Sequence, residues 1–443
     1  MFDPVTAGMD RRSLLAAALA PALIIAKPAA AGVQGGAAFP AGFLWGASTA
    51  GHQVEGSNVS ADCWVLENVR PTLFRQHSGD ACDSYNRFEE DIALLAGFGL
   101  NTYRFSLEWA RIEPEPNLFS NAQLAHYDRM LQACRRHGVR AAVTFNHNTA
   151  PAWFAAQGGW TNPEAAALFA RFCSVAARSL ARDMSLAFTL NEPQVNQVLR
   201  PVPGSGSRIA WSIRASAAMN AAAAKAVGSD RFSTLLDPDI DRLTPQLLAA
   251  HEQGFAAIKA ERSDLPVGVC LAVIDFQPSA PGVDVEPLNR AAYGDWFEAA
   301  SRVGDLVGVQ VYNRVMVGPG ASADQPAPSP ALPDPQALGA AVSLAHAGTG
   351  RPVLVTENGL ASADDAPRIA YIDAALSSLA GAIGEGVPVL GYIHWSLLDN
   401  FEWLGGYGPK FGLVAVDLQT FLRTPKPSAF HLGAIARRNA LQP

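Results

Sequence analysis

Two glutamates, Glu192 in "FTLNEP" and Glu357 in "LVTENG", each stand where a short apolar run gives way to polar residues. A carboxyl group acts as nucleophile, general acid or general base according to its protonation state. A facing pair can open a glycosidic bond with retention when the two groups sit roughly 5–5.5 Å apart. One must stay ionised to attack the anomeric carbon. The other must start protonated, give its proton to the leaving oxygen, and then take one from water. Arg104, in the second run's "YRFS", is a cation suited to keep Glu357 charged, and that charge raises the pKa of Glu192. The assignment is Glu192 as acid/base and Glu357 as nucleophile, with Asn191 beside the former.

Such a pair works only if the fold brings it face to face. Eight short, β-rich apolar runs recur along the chain: Phe43–Ser48, Thr102–Ser106, Arg140–Phe145, Leu186–Asn191, Pro266–Ala272, Leu306–Tyr312, Val353–Glu357 and Val389–Trp395. Amphipathic helical stretches separate most of them, among them Ser84–Phe98, Asn121–His137, Pro163–Arg182, Gln246–Arg262 and Arg368–Glu385. Strands alternating with helices imply right-handed βαβ units and a parallel sheet. Eight units predict an α/β fold, a single closed (β/α)8 TIM barrel. An open doubly wound sheet would want a Gly-rich phosphate turn after the first strand, and none is present. Catalytic groups of such barrels lie at the C-terminal ends of strands. Glu192 ends the fourth run and Glu357 the seventh, on opposite sides of the expected mouth. The Arg200–Gln246 region is less regular, and the Pro/Ala/Ser-rich stretch Val317–Pro335 is expected to form a loop over the mouth.

From Phe39 to about Pro427 the sequence resembles glycoside hydrolase family 1, the β-glucosidase family. The resemblance rests on "FLWGASTAGHQVEG", "DSYNRFEEDIALLAGFGLNTYRFSLEWARIEPE", "GGWTNPE", "TLNEP", "VTENG" and "GYIHWSLLDNFEWLGGYGPKFGLVAVD", met in the family's order. It implies the same roles for Glu192 and Glu357. It implies that Asn191 bonds the sugar 2-hydroxyl and that Tyr312 contacts the nucleophile. It makes Gln53, His147, Trp395, Glu402 and Trp403 the glycone contacts. These side chains are chemically apt, since Gln and Glu can bond adjacent hydroxyls and a Trp ring is a flat apolar platform for a pyranose. No metal or organic cofactor is implied, since two carboxylates and water suffice.

Several positions depart from the family pattern. Asn148 stands where Trp is common, Gln310 where Asn is usual, Gln194 where an aromatic is common, and Lys410 where Arg is expected. Asn148 and Gln310 are counted with the substrate-binding set. The default expectation is an exo-acting β-glucosidase. The departures keep open another glycone (galactose, fucose or xylose) or transglycosylation, and more remotely a non-catalytic sugar-binding barrel. A 6-phosphorylated glycone is disfavoured, because Glu402 would repel a dianionic phosphate. The ligand is expected to be a small neutral β-glycoside.

The bulk composition agrees. The 443 residues are 49% hydrophobic and 16% charged, with a formal net charge of −7, so there is no basic excess to neutralise a phosphate backbone and nucleic-acid binding is disfavoured. Arg11 and Arg12 precede an apolar run from Leu14 to Ala26 and small residues at Ala29–Ala31. That order reads as a twin-arginine export signal over residues 1–31, removed to leave a domain over 32–443 and a periplasmic or secreted protein. Met1 or Met9 serves as its start, and the run is too short for a stable membrane span. Among five cysteines, Cys134, Cys173 and Cys270 read as core, while Cys63 and Cys82 share an early loop and could pair in an oxidising compartment.

Overall fold

A computed structural model of the chain describes residues 38–199, 206–237, 239–319 and 333–442. The proposed export signal, and most of the stretch expected to loop over the mouth, lie outside them.

Eight parallel strands close into a barrel in chain order: β1 (Leu44–Ser48), β2 (Thr102–Ser106), β3 (Arg140–Asn146), β4 (Leu186–Asn191), β5 (Val267–Pro278), β6 (Leu306–Val317), β7 (Val353–Glu357) and β8 (Val389–Trp395). Closure is made by β1 against β8, from Leu44 opposite Gly391 to Ser48 opposite Trp395. Each strand leads into a helix on the outer ring: α1 (Ser84–Phe98), α2 (Asn121–Arg136), α3 (Ala165–Leu180), α4 (Ile240–Glu261), α5 (Glu286–Arg302), α6 (Ala337–Thr349), α7 (Asp365–Gly384) and α8 (Pro427–Arg438). The (β/α)8 expectation therefore holds.

Strands buried on both faces explain the runs' lack of alternation. β1, β2, β4 and β7 are buried at every residue. Helix starts follow local chemistry. The Ser120 side chain accepts from the Gln123 N–H at 3.3 Å to cap α2, and Asp239 accepts from the Arg242 N–H at 3.2 Å to cap α4. At the base of the barrel, the Asn439 side chain donates to the Phe39 and Pro40 carbonyls and accepts from Trp45 Nε1. The chain's end is thus pinned to its first strand.

Two differences from the sequence expectation bear on the site. β5 and β6 run on to Pro278 and Val317 and pair beyond the barrel rim, with Asp275 opposite Arg314. An ion pair between these two, 2.7 Å long, ties that extension. Helix α4 begins six residues before the expected Gln246, because Asp239 caps it; it keeps Pro245 in its second turn at the cost of one i→i−4 hydrogen bond. A further helix, Gly206–Ala226, lies between β4 and α4. Its buried Met219, Ala223 and Ala224 share an apolar cluster with Phe74, Phe232 and Phe401.

All five cysteines are free and buried, so Cys63 and Cys82 do not pair. Each is taken up by packing instead, Cys63 in the cluster around Phe401 and Cys82 in the main core. No described helix is long and apolar enough to cross a membrane.

Candidate active site

The strand ends assemble around one buried cation. Arg104, at mid-β2, has a side chain wholly removed from solvent. Its Nη1 donates to Glu357 Oε1 at 2.6 Å, its Nη2 to Asn191 Oδ1 at 2.5 Å, and its Nε to Thr144 Oγ1 at 3.2 Å. One guanidinium fork therefore joins β2 to β3, β4 and β7. Arg suits this place because its donors are fixed in a plane and its charge survives burial.

Glu357 collects further donors. Gln310 Nε2 lies 2.8 Å from Oε1 and Tyr312 Oη 3.1 Å from Oε2, with His147 Nε2 at 3.8 Å from Oε1. Gln310 Nε2 also donates to Asn191 Oδ1 at 2.7 Å. The approach of β7 to β8 depends on Gly359: a Cβ there would fall 2.0 Å from the Trp395 carbonyl oxygen.

Glu192 has a different setting. Its backbone N–H donates to the Cys270 carbonyl on β5 at 2.9 Å, and its φ of +44° places a non-glycine residue in the left-handed region. Among the described residues no side chain donates to its carboxyl. Burial, and then the negative charge of Glu357, push its pKa up to about 8, against the opposing pull of Arg104. Burial raises Glu357 as well, but there the Arg104 charge and the Arg104 and Tyr312 hydrogen bonds oppose it. Only one of the two carboxyls is solvated by donors, so Glu357 gives up its proton first and Glu192 keeps it through neutral pH.

The predicted glycone residues converge on the same mouth. Gln53 Nε2 donates to the Phe401 carbonyl at 2.7 Å and reaches Glu402 Oε2 at 3.5 Å. Trp395 Nε1 donates to Glu402 Oε1 at 3.2 Å. The His147 ring lies 5.8 Å from that of Trp395 and 6.2 Å from that of Trp403. Burial and Arg104 hold His147 far below its ordinary pKa, so it is a neutral imidazole. Four buried polar atoms here have no protein partner: Gln53 Oε1, His147 Nδ1, Asn148 Oδ1 and Gln310 Oε1. Buried polar atoms are rarely left so, and these four cluster around the same mouth.

Burial raises Glu402 to about 8, with the Trp395 and Gln53 hydrogen bonds pulling the other way. The charge repulsion expected against a phosphorylated sugar is therefore mostly absent at neutral pH. What disfavours a dianion there is desolvation, since it would lie against two neutral, buried groups.

Sequence reasoning missed several supporting groups. Thr144 is a polar residue within an apolar strand, and that contrast was its signal. Asn358 donates to the Val311 carbonyl at 2.7 Å and to Tyr371 Oη at 2.8 Å, steadying β6 next to Tyr312. His52 stacks flat on Trp403, with ring centroids 5.9 Å apart and planes within 1°. Nothing local marked His52, because its partner lies far along the chain.

The family model for glycosyl hydrolase family 1 matches residues 36–232 and 330–441. Gln310 and Tyr312 fall between those blocks, so their placement stands on geometry. The chain is 30% identical over 484 aligned residues to thermostable β-glucosidase B of Thermobispora bispora, covering 96% of each. Its fold superposes on the apo structure of a β-glucosidase designated 1317 with a TM-score of 0.84 and 43% identity, covering 90% of this chain and 99% of that one. A family 1 β-glucosidase structure from Thermotoga maritima gives a TM-score of 0.77 at 26% identity, covering 92% of this chain and 100% of that one.

Proposed function

The chain belongs to glycosyl hydrolase family 1, and from that membership and the geometry of its mouth we propose an exo-acting retaining β-glucosidase for neutral β-glucosides. The observation that carries this reading is the unequal provision for two facing glutamates. Glu357 holds donors from Arg104, Gln310 and Tyr312, while burial and its neighbour's charge lift Glu192 to about 8. In the first step Glu357 attacks the anomeric carbon and Glu192 gives its proton to the leaving oxygen. In the second, Glu192 takes a proton from water, which displaces Glu357 with a second inversion. Asn191, held by Arg104 and Gln310, presents its amide to the sugar 2-hydroxyl, where contacts strengthen toward the transition state. Gln53 and Glu402 grip the distal hydroxyls against the Trp395 and Trp403 rings.

Glu192→Gln and Glu357→Gln should each remove nearly all turnover of an aryl β-glucoside. Proton NMR of the first-formed sugar should show the β-anomer; a first-formed α-anomer sinks the retaining mechanism. A panel of aryl glycosides tests the glycone, because Asn148 and Gln310 alter the expected sugar contacts. The paired Arg11 and Arg12 before an apolar run support export in the folded state to the periplasm or beyond. Fractionation of cells expressing the native chain and an Arg11→Lys/Arg12→Lys variant tests this, and equal export of both would count against it.

A further inference from the structure

Behind the glycone side of the mouth lies a carboxyl that the two hydrolytic steps do not use. Glu108 stands two residues past β2, directly before the short helix Trp109–Ile112, and is wholly buried. Its backbone N–H donates to Tyr127 Oη on α2 at 3.1 Å, which ties it to the outer ring. Its Oε1 accepts from the His52 backbone N–H at 3.0 Å. Its Oε2 accepts from Asn58 Nδ2 at 2.7 Å and from Thr149 Oγ1 at 2.8 Å. The chain leaves room for it, since a Cβ at Gly51 would fall 2.6 Å from Oε1. Burying a carboxyl is costly, and donors from three separate segments offset that cost here.

Each of those donors sits beside a proposed glycone contact. His52 precedes Gln53 in the short helix Gly51–Val54, and the Gln53 carbonyl accepts from the Phe401 N–H at 3.2 Å, next to Glu402. Asn58 Nδ2 also lies 3.3 Å from Nδ1 of the His52 ring, whose face stacks on Trp403. Thr149 closes the tight turn after β3. Its N–H donates to the His147 carbonyl at 2.9 Å, and Asn148 between them has a φ of +70°. Among the described residues, no hydrogen bond joins the Glu108 carboxyl to Arg104, Glu192 or Glu357.

We propose that Glu108 is a positioning residue for glycone recognition: one buried carboxyl holds Gln53 and the His147–Asn148 turn in a fixed relation without touching the sugar. The inference rests on the glucosidase reading and deepens it. Displacing a binding group by about 1 Å is enough to weaken its hold on substrate. Because the Glu108 bonds run to the glycone side, their loss should weaken sugar binding while the chemistry of the two glutamates continues.

The test is aryl β-glucoside hydrolysis with kcat and KM separated, together with the inhibition constant of D-glucose. Thr149→Val keeps the shape of the side chain and removes one donor. KM and the glucose constant should both rise roughly threefold to tenfold, with kcat changed less than about twofold. Glu108→Leu removes all three bonds and should raise both constants by roughly tenfold or more. Glu108→Gln should recover most of that loss, because Oε1 still accepts and Asn58 can turn its unpartnered Oδ1 toward the new amide. Burial, and then the charge of Glu55, already raise Glu108 to about 7, so the site accepts an uncharged side chain. A residue that served the fold alone would lower the active fraction, and with it kcat, at unchanged KM. Native KM and native glucose inhibition in Thr149→Val overturn the proposal, whether or not Glu108→Leu folds. Glucose inhibition as weak in Glu108→Gln as in Glu108→Leu overturns it too. Absence of turnover by the native chain would instead sink the glucosidase reading.

Discussion

Replacing Gln310 with Leu asks whether this residue serves the substrate or the nucleophile. Leu keeps most of the volume and removes the amide. Gln310 Nε2 bonds Glu357 Oε1 at 2.8 Å and Asn191 Oδ1 at 2.7 Å. A hydrogen bond to a charged acceptor is worth about 1.5–3 kcal/mol. At 1.36 kcal/mol per factor of ten, losing the Glu357 bond alone should lower kcat/KM roughly ten- to 150-fold. The pH profile carries a second signature. The acid limb of kcat/KM reports ionisation of the nucleophile and the basic limb loss of the Glu192 proton. A carboxylate that loses a donor is harder to ionise, so the acid limb should move to higher pH. The basic limb, set by Glu192 at about 8, should stay close to its place. Gln310→Asn, one methylene shorter, cannot span both acceptors and should fall between Leu and the native residue. The assay is aryl β-glucoside hydrolysis across pH 4.5–9.5, with kcat and KM separated. If KM rises while kcat and the acid limb are unmoved, Gln310 acts on the sugar and the reasoning is wrong.

Stability should peak on the acid side of neutrality. Asp62 and Glu108 are raised to about 7 and Glu192 and Glu402 to about 8, chiefly by burial. Acids with raised folded pKa values contribute stability that is complete below their ordinary range and is lost as pH climbs through 7 and 8. Buried His126 and His251, lowered to about 4, act oppositely, giving stability above their ordinary 6.5 that is lost as pH falls through 4. Calorimetric Tm should therefore decline from about pH 6 to 8.5, and Glu402→Gln should reduce that decline; a native Tm that rises over this interval contradicts the assignment. The cysteines give a third test. With all five thiols free and buried, reductant should leave Tm unchanged, and a thiol reagent should count five groups only after denaturation. Fewer than five in the denatured chain would reveal a disulfide.

How far the sequence reached can be followed strand by strand. β2, β4, β7 and β8 matched their expected bounds because a strand buried on both faces is a continuous apolar run with sharp polar ends. The polar ends of β4 and β7 carry the two glutamates proposed for catalysis, so fold and candidate site were legible together. β5 and β6 were read short, since "VIDFQP" and "NRVMV" mix polar and apolar residues where the ribbon runs past the barrel rim. There, the Asp275–Arg314 pair sits among buried Ile274, Phe276 and Val315, and pairing between distant segments leaves no periodic trace. The role of Arg104 toward Glu357 was foreseeable from charge. Its grip on Asn191 and Thr144 was not, because that depends on register across three strands.

The two glutamates show why residue type alone could not assign their roles. Both stand at or just past the C-terminal ends of parallel strands, both are raised by burial, and both feel Arg104. The difference arises from which strands can deliver donors to each. Glu357, on β7, lies beside β6, which supplies Gln310 and Tyr312, and across the barrel from β2, which supplies Arg104. Glu192 lies one residue past β4, turned by a positive φ that gives the donor-rich position to Asn191. The backbone turn thus separates two jobs at adjacent residues: Asn191 enters the hydrogen-bond network, and Glu192 is held out of it as a neutral acid. Exchanging the pair, Asn191→Glu with Glu192→Asn, should place a second carboxylate against Arg104 and leave no proton donor at the leaving group. Hydrolysis should then be lost even though every residue type in the mouth is retained, and recovered activity would show that the turn does not set the roles.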